Sequence, residues 1–219
     1  MGVLYIVRHG QAPAHAYGPD AATIGGPGLT GLGFVQARAA GQALARRVPS
    51  FDAAFCGDLP RQQATLAGVL EAFDDAPDAV VDPEWNEYTT PELPEAKDIY
   101  RGGGKVFQDA ITRALGEWID GADIGPETFA AYAARTRAAA DRAAAAAGSG
   151  QNVLVVSSAG SITQLIAQLW GVPDQAWPAM SRTFVNTSIT TVLAGRRGMT
   201  LVSFNEHAHV AGDELFSYR

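Results

Sequence analysis

The sequence predicts an α/β fold, a mostly parallel sheet covered by helices, and three observations carry that prediction. Four short apolar runs, at residues 3–7, 51–56, 79–81 and 152–156, read as buried strands. Segments with helical periodicity or helix punctuation lie between and after them, which is the pattern of βαβ crossovers. With 219 residues and a hydrophobic content of 47%, the chain can bury a sizeable core in one large domain or two small ones.

The first strand stops abruptly at Arg8-His9-Gly10. Ligands of open α/β sheets sit beyond the carboxyl ends of strands, so this triplet is the first candidate site. Imidazole can attack phosphorus, a guanidinium fork holds phosphate oxygens, and Gly10 allows backbone N–H groups close to an anion. On three residues alone, an ordinary polar loop is the competing reading. Residues 11–28 are rich in Gly, Pro and Ala and read as a long loop over the site, with Gln11, His15 and Tyr17 within reach of a ligand. Thr30 then caps a helix that runs to Arg47, and Pro49 ends it.

After the second strand, Asp58 is the expected cap of a helix reaching Phe73, with Pro60 in its first turn. Arg61 projects near that N-terminus, where the dipole and free N–H groups favour an anion; a solvated arginine is the alternative. The third strand opens into Asp82-Pro83-Glu84-Trp85-Asn86-Glu87-Tyr88, which offers Glu87 and Glu84 as candidate general acids. Residues 89–125 are irregular except for helical periodicity over 106–119, where Phe107, Ile111, Leu115 and Trp118 share a face. This section is expected to form a cap, with Tyr100, Arg101 and Lys105 lining the site.

Pro126 and Gly148 bracket an Ala-rich helix over 126–147. Its Phe129, Tyr132 and Ala133 are expected inward, and Arg135, Arg137, Asp141 and Arg142 toward solvent. The strongest strand, 152–156, runs into Ser157-Ser158-Ala159-Gly160-Ser161 and then an apolar helix over 162–170. Strand, small polar loop and helix again make an anion cradle, with Ser158 and Gly160 at its lip. A strand over 188–192, a turn at 195–198 and a strand over 199–204 follow. His207 and His209 share one face of an extended segment. Two ligands make no metal site, and the open alternatives are reaching a bound phosphate or docking the tail.

Composition excludes several classes. A net charge of −7 argues against non-specific nucleic-acid binding. No apolar run approaches the ~20 residues of a membrane span, and the first residues enter a strand with no signal-peptide pattern. Cys56 is the one cysteine, so no internal disulfide forms; a reducing cytoplasm is the expected home and a buried structural thiol its expected role. No metal-ligand spacing is present and no cofactor is expected.

Taken together, these motifs resemble the histidine phosphatase superfamily, the phosphoglycerate-mutase-like proteins. The resemblance rests on Arg8-His9-Gly10 after the first strand, on the Leu-Thr-x-x-Gly-x-x-Gln-Ala string from Leu29 to Ala37, and on Leu59, Arg61 and Thr65. It also rests on Trp85-Asn86-Glu87-Tyr88, on Asn186-x-Ser188-Ile189, and on Phe204-Asn205-Glu206-His207-Ala208-His209, which resembles one subgroup. Three positions depart from it. Gln62 stands where the family usually has Ala, and Ala64 where it has Gln. Ser158 stands where the family has its second catalytic histidine.

The resemblance implies a single three-layer α/β/α sandwich over residues 1–219 with a helical cap insertion at about 89–125. It implies a phosphomonoester hydrolase with His9 as nucleophile, Arg8 and Arg61 on the phosphoryl oxygens, and Glu87 as general acid. Phosphate contacts are expected from Gly10, Ser158 and Gly160, and auxiliary ones from Gln11, His15, His207 and His209. Ser158 can donate one neutral hydrogen bond but brings no charge, so reduced activity is expected. The alternatives are a phospho-ligand-binding protein without turnover and a phosphomutase. The expected partner is phosphate or a small phosphorylated substrate, and a homodimer is left open.

Overall fold

The computed structural model describes residues 1–13, 16, 28–89, 104–212 and 214–218, without the side chains of 104–108. The contacts expected of His15, Tyr17, Tyr100, Arg101 and Lys105 lie outside the described residues.

Six strands form one sheet in the order β3-β2-β4-β1-β5-β6. They are β1 (Gly2–Arg8), β2 (Ala53–Cys56), β3 (Ala79–Val81), β4 (Asn152–Ser157), β5 (Ile189–Gly195) and β6 (Gly198–Glu206). The first four are parallel; β5 runs antiparallel to β1, and β6 antiparallel to β5. The helices are α1 (Gly31–Ala45), α2 (Pro60–Leu70), α3 (Gly104–Ile119), α4 (Phe129–Ala146), α5 (Ala159–Trp170) and α6 (Trp177–Ser181).

Strand side chains alternate across the sheet, and the apolar runs of β1 and β4 supply both faces. Leu4, Ile6, Val153 and Val155 pack with Ala139 and Ala143 of α4 and with Ile162, Leu165 and Ile166 of α5. Val7, Leu154 and Val156 face the other way, against Ala40 and Leu44 of α1 and Leu66 and Val69 of α2. The result is three layers. Truncating a buried centre such as Leu154 to Ala would cost about 2–5 kcal/mol. A third cluster brings Leu115 and Trp118 of α3 onto Phe129, Tyr132 and Trp177, with Tyr88 against it.

Three helix starts differ from expectation. Helix α4 begins at Phe129 and not at Pro126, with Thr128, whose side chain accepts from the Ala131 N–H, as its cap. Leu59 occupies the N-cap of α2 with no side-chain bond, because the Asp58 carboxylate accepts from Asn86 instead. Helix α5 starts at Ala159, three residues early, so Ser158 is its N-cap and Gly160 lies in its first turn.

Candidate active site

Parallel pairing sets the site. Arg8 is in register with Ser157, and the His9 N–H donates to the Ser157 carbonyl at 2.9 Å. His9 and Ser158 therefore leave neighbouring strands side by side. Arg61 arrives from the far side of β4, in the first turn of α2. Its Nε donates to His9 Nε2 at 3.2 Å, and another guanidinium nitrogen donates to the Ala16 carbonyl. Arg8 and His9 are each 2% exposed and Arg61 4%.

The His9 ring is fixed by its backbone. Nδ1 lies 2.8 Å from the Gly10 carbonyl, which can only accept, so Nδ1 carries the hydrogen and Nε2 presents its lone pair toward Arg61. Burial first, and then the charges of Arg61 and Arg8, hold the imidazole pKa well below its usual 6.5. The ring is neutral at physiological pH. The seat is held from below as well. Asn186 Nδ2 donates to the His9 carbonyl at 3.1 Å, Ser217 Oγ donates to Asn186 Oδ1 at 3.0 Å, and Gln36 Nε2 donates to Ser217 Oγ at 2.8 Å. Thr187, which follows Asn186, has a left-handed φ of 60°.

Glu87 enters from the loop after β3. One carboxylate oxygen accepts from the Gly160 N–H at 3.0 Å, at the N-terminus of α5; the other accepts from the Tyr132 hydroxyl at 3.2 Å. Gly160 is required there, since a Cβ would lie 2.1 Å from Glu87 Oε1 and 2.9 Å from Trp177. Glu84 is held elsewhere: its carboxylate and that of Asp82 pair with Arg142 on the surface.

Two backbone donors expected to face phosphate are committed to protein partners. The Gly10 N–H donates to Thr65 Oγ1 at 3.0 Å, and the Gly160 N–H to Glu87. The backbone around them thus serves to position His9 and Glu87. Gln11 also turns to the scaffold: its N–H donates to Gln36 Oε1 at 2.8 Å, and its side chain accepts from Thr30 at 2.8 Å. His207 Nδ1 lies 2.6 Å from the Asn205 carbonyl. His209 Nε2 lies 3.0 Å from the Thr187 carbonyl. Both have backbone partners in the late segment that carries Asn186. Cys56 ends β2 with its side chain buried, and burial pushes its thiol up to about 11.

Two residues escaped the sequence reading. Arg135, expected in solvent, reaches back to donate to the carbonyls of Glu84, Asn86 and Glu87 at 3.0, 2.8 and 3.3 Å. It pairs with Glu127 at 2.7 Å and lies over the Tyr132 ring. Gln62, buried in α2, donates to Ser158 Oγ at 3.0 Å. The i, i+3 spacing of Tyr132 and Arg135, which places the two on neighbouring turns, is the one local signal for the first. Among the described residues no group of three or more His, Cys, Asp or Glu side chains could hold a metal ion, and no helix is long and apolar enough to cross a membrane.

Solved structures share this arrangement of the chain. A candidate alpha-ribazole-5′-P phosphatase from Escherichia coli is 26% identical, with a TM-score of 0.70 over 94% of this chain and 98% of that one. A mycobacterial glucosyl-3-phosphoglycerate phosphatase is 24% identical, with a TM-score of 0.69 over 95% and 100%. A phosphoserine phosphatase from Entamoeba histolytica, 18% identical, gives a TM-score of 0.66 over 96% and 100%; the latter two likenesses are of fold. No curated protein sequence matches the chain. A family model covers residues 4–207, nearly the whole sheet and both helical layers, and by that match the chain belongs to the histidine phosphatase superfamily, branch 1.

Proposed function

We propose that the protein is a phosphatase, a phosphomonoester hydrolase that works through a phosphohistidine on His9. The observation that carries this reading is a neutral His9 whose Nε2 lone pair faces the Arg61 guanidinium at 3.2 Å. A nucleophile needs its lone pair, and the phosphoryl group needs fixed positive charge. The two are in hydrogen-bond contact, so a phosphoryl group that enters between them meets both.

Nε2 attacks phosphorus in line with the leaving oxygen. As the N–P bond forms and the P–O bond breaks, Glu87 gives its proton to the departing alkoxide. The Nδ1–H bond to the Gly10 carbonyl steadies the positive charge that the phosphorylated ring acquires. Water then attacks phosphorus, Glu87 takes its proton, the N–P bond breaks, and His9 returns neutral with orthophosphate released. Arg8 and Arg61 carry the charge on the equatorial oxygens, and the reaction as drawn uses no metal.

The test is hydrolysis of an aryl phosphate in the presence of a chelator, with acid-labile, base-stable labelling of the protein as a second readout. Activity and label, both lost in His9→Ala, support the reading. Turnover that survives His9→Ala overturns it. Absence of turnover, with phosphate still raising the melting temperature, overturns it in favour of a phospho-ligand-binding protein.

A further inference from the structure

Two positions that depart from the family pattern, Gln62 and Ser158, are in contact. Ser158 occupies the N-cap of α5, where a serine ordinarily accepts from the N–H two or three residues on, yet it makes no capping bond. The carboxylate of Glu87 has taken the Gly160 N–H instead. Ser158 Oγ accepts from Gln62 Nε2 at 3.0 Å, and the same nitrogen donates to the Trp85 carbonyl at 3.1 Å. A carbonyl cannot donate, so the amide cannot be turned round. Gln62 Oε1 is left over Gly57, where a Cβ would lie 2.0 Å from it. Both side chains are fully buried. A hydroxyl that accepts from an amide keeps its own hydrogen for another acceptor, and Ser158 stands at the strand exit next to His9.

We infer that Gln62 is a positioning residue that holds Ser158 as an uncharged, directional hydrogen-bond donor to a phosphoryl oxygen on His9. The pair acts as one unit in place of a second imidazole. This rests on the hydrolase reading and adds a consequence: Ser158 itself brings no titrating group to that side of the phosphoryl site.

A double-mutant cycle tests it. Ser158→Ala should lower kcat roughly 10²-fold, the scale for one lost oxyanion donor. Gln62→Met, which keeps the volume and removes the donor, should lower kcat about tenfold with KM little changed, the scale of one hydrogen bond. In the Ser158→Ala background, Gln62→Met should cost nothing further, whereas a merely structural role gives the same added loss in both backgrounds. If Gln62→Met does not fold, Gln62→Glu serves: ionised, it turns the serine hydrogen toward itself, so kcat should fall as pH rises. The paired Gln62→Ala/Ser158→His protein should gain a pH inflection in kcat that the Ser158→Ala protein lacks. Additive losses, or full activity in Ser158→Ala, overturn the inference. Phosphohistidine labelling of the unmutated protein separates the two levels. No label sinks the hydrolase reading, whereas label with an additive cycle sinks only the pairing.

Discussion

Glu84 and Glu87 stand three residues apart on one loop, and α4 treats them in opposite ways. Arg142, near the exposed end of the helix, draws Glu84 and Asp82 outward into ion pairs. Tyr132 and Arg135, a few turns earlier, draw the loop inward. The tyrosine hydroxyl bonds the Glu87 carboxylate, and the arginine takes three loop carbonyls. The difference lies in the neighbours, since the two side chains are chemically identical. The Glu84 carboxylate sits against an exposed arginine in bulk water; the Glu87 carboxylate is held inside by a hydroxyl and a helix N-terminus. In the proposed mechanism only the second exchanges a proton with the substrate.

The largest effect expected is at that carboxylate. Glu87→Gln should lower kcat roughly 10²–10⁴-fold on an alkyl phosphate ester, while Glu84→Gln should leave it within about twofold. Equal losses would erase the contrast. Gly160→Ala comes next, because its methyl would overlap Glu87 Oε1 and Trp177. We expect roughly 10²-fold lower kcat, the penalty of displacing a catalytic group by about an ångström, with KM nearly unchanged. Arg135→Ala should act less directly: a lower melting temperature together with about a tenfold loss in kcat/KM, as three carbonyls lose a charged donor. Normal kinetics in a folded Arg135→Ala protein would show that the loop holds itself.

The smallest effect extends the same contrast of burial against exposure to the histidines. Burial lowers the His209 pKa from 6.5 to about 4. As pH falls through that window the unfolded chain takes up a proton that the native state refuses, so stability falls, by at most ~1.4 kcal/mol per pH unit for one proton. His209→Gln should flatten the acid limb of a melting-temperature profile between pH 6.5 and 4. An unchanged profile would place the acid sensitivity at His9, whose shift has the same sign.

Much of the fold was legible because the apolar runs of β1 and β4 are bounded by polar or glycine residues and feed both faces of the sheet. The start of α5 was not, since Ser157-Ser158-Ala159-Gly160-Ser161 has the composition of a loop, and the Glu87 carboxylate that accepts from its first turn comes from a distant segment. The approach of Arg61 to His9 was legible through the resemblance of Leu59, Arg61 and Thr65 to a family motif, and not from the arginine alone. The partners of Gly10 and Gly160 were not, because a glycine announces close approach without saying which group approaches. Arg135 was misread for a similar reason. Its three acceptors lie 48 to 51 positions away, and a helix in an alanine-rich segment shows little amphipathic pattern to mark an inward arginine.

The seat of His9 has a temporal consequence. His9 and Asn186 lie 177 positions apart, yet Asn186 binds the His9 carbonyl and is in turn fixed by Ser217. The segment that carries Asn186 and Ser217 must therefore be synthesised and free to fold before the imidazole can be locked in place. A nascent or prematurely terminated chain can carry every charged group of the pocket and still lack the floor on which the ring rests.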